Sequence, residues 1–209
     1  MTSIHASLVA FIAAATVLTI TPGLDTALVL RTATGSGPRR AALASAGIAL
    51  GCLVWALLVA LGLGALLAAS HLAYTVMRWI GAGYLAWLGY SMLRHPRRQF
   101  TTEAPERERK AGAFVTGALT NLLNPKVGVF YVTFLPQFVP QGVPVAAYVL
   151  LLGAIHVLLG LLWFALLIAA TRPIAGLLRR PVVVEACDRL TGAVFVAFGV
   201  GLALESRRP

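Results

Sequence analysis

Charge is what this sequence has least of. Of 209 residues, 17 are Lys or Arg and 7 are Asp or Glu, together 11% of the chain, less than half the share of an ordinary soluble domain. So few carboxylates, with 4 His and 2 Cys, provide no His/Asp/Glu/Cys set of the kind an intramembrane hydrolase, a metal centre or a thiol relay needs. The cysteines are Cys52, inside an apolar run, and Cys187, in a charged connection. They fall at different depths, which excludes a disulfide framework and a metal cluster, and neither is taken as a site residue. No cofactor is expected. Met1 to Ala6 contains no Lys or Arg, and the apolar run after it outlasts a signal-peptide core, so it reads as a retained first helix.

Apolar residues fill the gap: they make up 59% of the chain, with mean hydropathy +0.85. The runs are too long and too numerous for their outer faces to meet water, so the chain reads as a polytopic all-α membrane protein. Six stretches, near 7–30, 41–69, 72–93, 112–135, 143–170 and 190–204, can cross a hydrocarbon core of about 30 Å at about 1.5 Å per residue. The last is short. Only Ser70 and His71 separate the second and third, which predicts a tight helical hairpin.

The net charge is +10. In a soluble chain that would raise the question of nucleic acid, but here the basic residues sit in short connections and no basic helix with interleaved aromatics exists, so no nucleic-acid partner is expected. With the N-terminus outside, Arg31, Arg39, Arg40, Arg94, Arg97, Arg98, Arg107, Arg109, Lys110, Arg172, Arg179, Arg180 and Arg189 all face inward. Arg78, Arg207 and Arg208 face outward. The asymmetry predicts both termini outside and a cytoplasmic loop over 94–111. Glu103, Glu106 and Glu108 share that loop as a solvated linker.

The chain also repeats itself. The run from Arg78 to Trp87 lines up with that from Arg189 to Phe198, sharing Arg, Gly and two Ala at identical spacing. Pro22 falls over Pro125, and Trp55 over Trp163, in the same order. Two related halves of three helices, 1–93 and 112–209, must enter the membrane in opposite senses. The expected architecture is therefore six transmembrane helices as two inverted three-helix repeats, common among secondary transporters.

Two places carry chemistry. Thr21-Pro22-Gly23-Leu24-Asp25 interrupts the first stretch, and Asn121-Leu122-Leu123-Asn124-Pro125-Lys126 interrupts the fourth. Proline deletes a backbone hydrogen bond and clashes with the preceding turn, and glycine adds freedom. Each break puts one ionisable group at depth, where it costs about 2.5–3.5 kcal/mol on insertion scales unless it faces protein or water. Freed carbonyls with Asp25 suit an ammonium, while restarted amides with Lys126 suit a carboxylate. Asn121 and Asn124 can bond substrate or cap the broken end. Two readings stand: these groups bind a zwitterion, or Asp25 and Lys126 pair and hold the halves together.

Secondary candidates are His156, as a proton relay or a hydrogen-bonded packing residue, and Tyr84, as a cage wall or an interface-belt aromatic. Gly47 and Gly51 form a small-residue face for close helix contact within a subunit or in a homo-oligomer.

These pieces together resemble the LysE/RhtB family of exporters over essentially the whole length. The likeness rests on Thr21-Pro22-Gly23-Leu24-Asp25, on Gly37-Pro38-Arg39-Arg40 leading to Gly47-Ile48-Ala49-Leu50-Gly51, on Gly81 to Gly89, and on Asn121 to Lys126 followed by Phe134-Leu135-Pro136-Gln137-Phe138. Leu24 stands where the family usually has a second proline. The resemblance implies export of amino acids or related small zwitterions across a bacterial inner membrane, driven by the proton gradient. The competing readings are export of another small solute by a member of the same superfamily and a non-transporting scaffold, which has no need of two charged, broken helices.

Overall fold

The computed structural model describes residues 4–69, 71–96, 112–170 and 180–204; most of the basic loop expected at 94–111 lies outside them. Every regular element among the described residues is helical: α1 (Ile4–Ile20), α2 (Leu24–Ser36), α3 (Pro38–Ala69), α4 (His71–Arg94), α5 (Ala113–Leu122), α6 (Pro125–Val129), α7 (Val145–Ala169) and α8 (Pro181–Leu204). A π-helical turn, Phe130–Phe134, and a 3-10 turn, Leu135–Phe138, carry the chain on from α6.

Two helical segments, Pro38–Gly62 and Val145–Ala169, are each long and apolar enough to cross a bilayer. The bent pair α1 and α2 makes a third span if counted as one. Large apolar side chains cover the outside of the bundle, among them Val9, Leu58, Leu61, Ile80 and Leu162, all more than half exposed. Such a surface belongs in lipid.

Local chemistry explains the breaks. α1 runs until Pro22, which has no N–H to continue it. Gly23 is then extended (φ −143°, ψ −167°), and α2 restarts at Leu24 with the Ala27 amide bonding the Gly23 carbonyl at 2.9 Å. The two helices are bent by 52°. In the second break α5 ends at Leu122. Asn124 then caps α6, its side chain accepting from the Lys126 amide at 3.1 Å, with Pro125 in the first helical position. Both residues are well matched to those places. The π turn comes just before Pro136, whose missing N–H and bulky ring disturb the ladder upstream. It buries Phe130, Tyr131 and Phe134.

The last helix corrects a sequence expectation: α8 begins at Pro181, not near 190. The charged turn that looked like a connection, with Cys187 in it, is helical, and an Arg189–Glu185 pair at 2.6 Å spans one turn of it. The link between α3 and α4 is as short as expected, but α4 makes little contact with α3. Its main partner is α8. There the backbones nearly touch: a Cβ on Gly89 would lie 2.5 Å from the Gly192 carbonyl oxygen, and one on Gly199 2.9 Å from that of Ala82. Partners that move in opposite directions make this pair antiparallel.

α3 and α5 run in the same direction, since Ala44 meets Gly117 and Gly51 meets Asn121. The Gly47 and Gly51 face therefore serves contact within the subunit, against α5. α7 runs against α3, with Gly153 on Ala56 at one end and Phe164 and Leu167 clustered with Ala41 and Ala44 at the other. The α1 and α7 N-termini share a buried polar clasp in which Tyr148 Oη donates to Ser7 Oγ at 3.1 Å and Ser7 Oγ donates to the Phe138 carbonyl.

Candidate functional site

Between the two breaks and α7 lies a cavity of about 60 Å³. On this measure one water needs about 10–15 Å³, so the space is that of several waters or a small solute. Thr19, Thr21, Gly23 and Asp25 enter it from the first break, Asn124 and Lys126 from the second, Ser45 and Cys52 from α3, and His156, Gly160 and Phe164 from α7.

Asp25 sits in the first turn of α2, where the positive end of the helix favours a carboxylate. Its Oδ2 accepts from Asn121 Nδ2 at 2.8 Å, while its Oδ1 is buried without a well-formed hydrogen bond among the described residues. A second Asn121 contact, Nδ2 to Cys52 Sγ at 3.4 Å, ties α5 to α3. Lys126 comes from the opposite side. Its Nζ lies 3.9 Å from the point a Cβ on Gly23 would occupy, so the ammonium stands beside the first break.

Three hydroxyls of the cavity wall are committed in one direction. Thr19, Thr21 and Ser45 donate to the carbonyls of Ala15, Val17 and Ala41 at 2.7, 2.7 and 2.9 Å. A hydroxyl has a single proton to give, so toward the cavity each can only accept. Thr21 Oγ1 also meets Thr191 Oγ1 at 2.5 Å, which links the first break to α8. The cavity wall thus carries acceptors, Asp25 Oδ1 among its surroundings, together with the Lys126 ammonium.

His156 is buried, its Nδ1 2.9 Å from Tyr131 Oη and its ring 5.0 Å from that of Phe130. It lines the cavity and is hydrogen-bonded as well, so both sequence readings remain compatible with its position.

Of the residues singled out from the sequence, Thr21, Gly23, Asp25, Asn124, Lys126 and His156 share this wall. Asn121 stands one layer behind it, holding Asp25. Pro22, buried, and Pro125 make the breaks themselves. Tyr84 is elsewhere, on α4 against Trp87 with ring centroids 5.5 Å apart. Cys52 had been set aside, yet it lines the cavity; its place in an apolar run concealed a neighbour, Asn121, that is distant in sequence. Tyr131 and the wall formed by α7 were also missed. The spacing of His156, Gly160 and Phe164, one helical turn apart, was the available signal.

A homoserine/homoserine lactone efflux protein of Salmonella typhi is 28% identical over 194 residues, 93% of this chain and 94% of that protein. A leucine efflux protein of Klebsiella pneumoniae is 29% identical over 196 residues, covering 92% of each. A threonine efflux protein of Escherichia coli is 30% identical over 192 residues, 88% of this chain and 91% of that protein. No solved structure matches the chain. The family model described as LysE type translocator matches residues 16–206, nearly the whole length, and the chain therefore belongs to the LysE family of membrane translocators.

Proposed function

We propose that this protein is a secondary transporter that exports amino acids or closely related zwitterions from the cytoplasm across a bacterial inner membrane, coupled to the proton gradient. One observation carries the reading: two helices broken at different points of the chain bring a carboxylate and an ammonium to a single cavity. An α-amino acid offers the complementary pair of charges. Asp25 receives the substrate ammonium or the coupling proton, Lys126 neutralises the carboxylate, and Asn121 and Asn124 hold Asp25 and the broken end of α6 in place. Homoserine, leucine and threonine, named in three relatives, carry that backbone pair on different side chains, whereas homoserine lactone, named with the first, has only the amine.

Alternation of successive spans makes α3 parallel to α5 and α4 antiparallel to α8, relations that two halves inserted in opposite senses share. The tryptophans fit the same scheme. Trp55 of the first half packs against Gly128 in α6, and Trp163 of the second packs against the cluster in which Leu28, Val29 and Leu30 of α2 meet α3 and α7. Access can alternate around the two breaks.

The test is efflux of labelled amino acids from loaded vesicles containing the purified protein, with and without a pH gradient. Asp25→Asn and Lys126→Met are each expected to lower flux by about a hundredfold, the loss typical of removing one partner of a buried, hydrogen-bonded charge pair. Normal flux in the double variant would leave the charges a structural role only.

A further inference from the structure

Glycine is the poorest helix former after proline, so a glycine deep inside a long helix calls for a reason. Most of those here have one. A Cβ on Gly47, Gly117, Gly153 or Gly192 would lie 2.7 Å or less from an atom of a neighbouring helix. Gly160 is different. It sits far from either end of α7, yet a Cβ there would meet nothing within 4 Å. Packing does not demand it, and it borders the cavity. Gly62 and Gly83 are equally unobstructed, but they lie exposed on the outside of the bundle and away from the cavity.

The stripe that contains Gly160 is chemically one-sided. From His156 it continues through Val157, Gly160, Leu161 and Phe164, and Ile48 of α3 joins it. Beyond His156 these side chains offer only carbon, whereas the charged groups come from the two breaks, and the Ser45 hydroxyl on α3 is already bonded to the Ala41 carbonyl. An amino acid held by Asp25 and Lys126 would turn its side chain toward this wall, where a second charge would find no partner.

We propose that Gly160 holds open the part of the cavity that receives the substrate side chain, and that the preferred cargo is a neutral amino acid with a short aliphatic side chain. The inference rests on the export reading above. The vacancy left by Gly160 sets how much side chain enters, and Phe164 closes its far end.

Counterflow in vesicles tests it with labelled alanine, valine, leucine, lysine and glutamate, using wild type, Gly160→Ala, Gly160→Val and Phe164→Ala, with Gly62→Val as a control. Wild type should carry the three aliphatic amino acids in preference to lysine and glutamate. Gly160→Val should cut valine and leucine flux about tenfold relative to alanine, the discrimination expected for a methyl group or two in an apolar pocket. If Gly160→Val does not fold, as judged by gel filtration, Gly160→Ala should show the same ranking with a smaller effect. Phe164→Ala should raise leucine relative to alanine. Gly62→Val should match wild type. Amino-acid flux whose ranking is unchanged by all the Gly160 and Phe164 variants, or a preference for lysine or glutamate, would overturn this inference while leaving the export reading intact. Absence of flux for the whole panel in wild type would overturn both.

Discussion

Asn121 shows how much one amide can organise. Its Nδ2 lies within bonding distance of Asp25 Oδ2 and of Cys52 Sγ, joining α2, α3 and α5. A hydrogen bond to a charged group contributes about 1.5–3 kcal/mol. Asn121→Ala should therefore lower amino-acid flux by between about ten- and a hundredfold in vesicles, with expression and gel-filtration profile retained because no charge is removed. Flux equal to wild type would mean that Asp25 needs no such support. Asn121 stood out in the sequence because it precedes a break. That it bonds Asp25 and Cys52 was not legible there, since they lie 96 and 69 residues away in the chain.

At the scale of elements, the breaks and the close helix contacts answer to different physics. A break is local: Pro22 cannot donate to the turn before it, and Gly23 tolerates the extended link. Pro22→Ala restores the donor and allows α1 to run on into α2, so flux should drop at least tenfold while the protein remains folded, measured by vesicle efflux beside thermal unfolding in detergent. A close contact is instead a property of two elements. Gly89→Val would press a side chain into the backbone of α8, and overpacking of this kind costs about 1–3 kcal/mol. Its unfolding midpoint should fall clearly below that of wild type. Gly83→Val, on the outside of the same helix with nothing within 4 Å, should leave the midpoint unchanged.

For the whole molecule, the distribution of arginine sets the proposed orientation. Most of the basic residues lie in connections expected on one side of the membrane. With both native cysteines replaced, a single cysteine introduced at Gln99→Cys should react with a membrane-impermeant thiol reagent only when the cytoplasmic face is exposed. One at Ser206→Cys should react in intact cells depleted of outer membrane. The reverse pattern would invert the assignment. The paired directions of α3 with α5 and of α4 with α8 constrain the halves relative to one another, but they are the same whichever face is cytoplasmic.

Sequence by itself determined that this chain is helical and lipid-embedded, and where two of its helices fail, because hydropathy and the missing N–H of proline act within a few residues of themselves. It also singled out Asp25 and Lys126, since an ionisable group in such an apolar chain is conspicuous wherever it points. Even so, the start of α8 was misplaced by nine residues, because the Glu185 and Arg189 pair made a helical turn resemble a loop. Only the tertiary structure decided that the two charges face one cavity, that Cys52 and Tyr131 belong to its surroundings, and that Gly160 leaves a vacancy there. Those facts depend on how helices cross, and in a membrane, where lipid is as apolar as the side chains, crossing is set by close packing and polar contacts between distant residues rather than by any pattern along the chain.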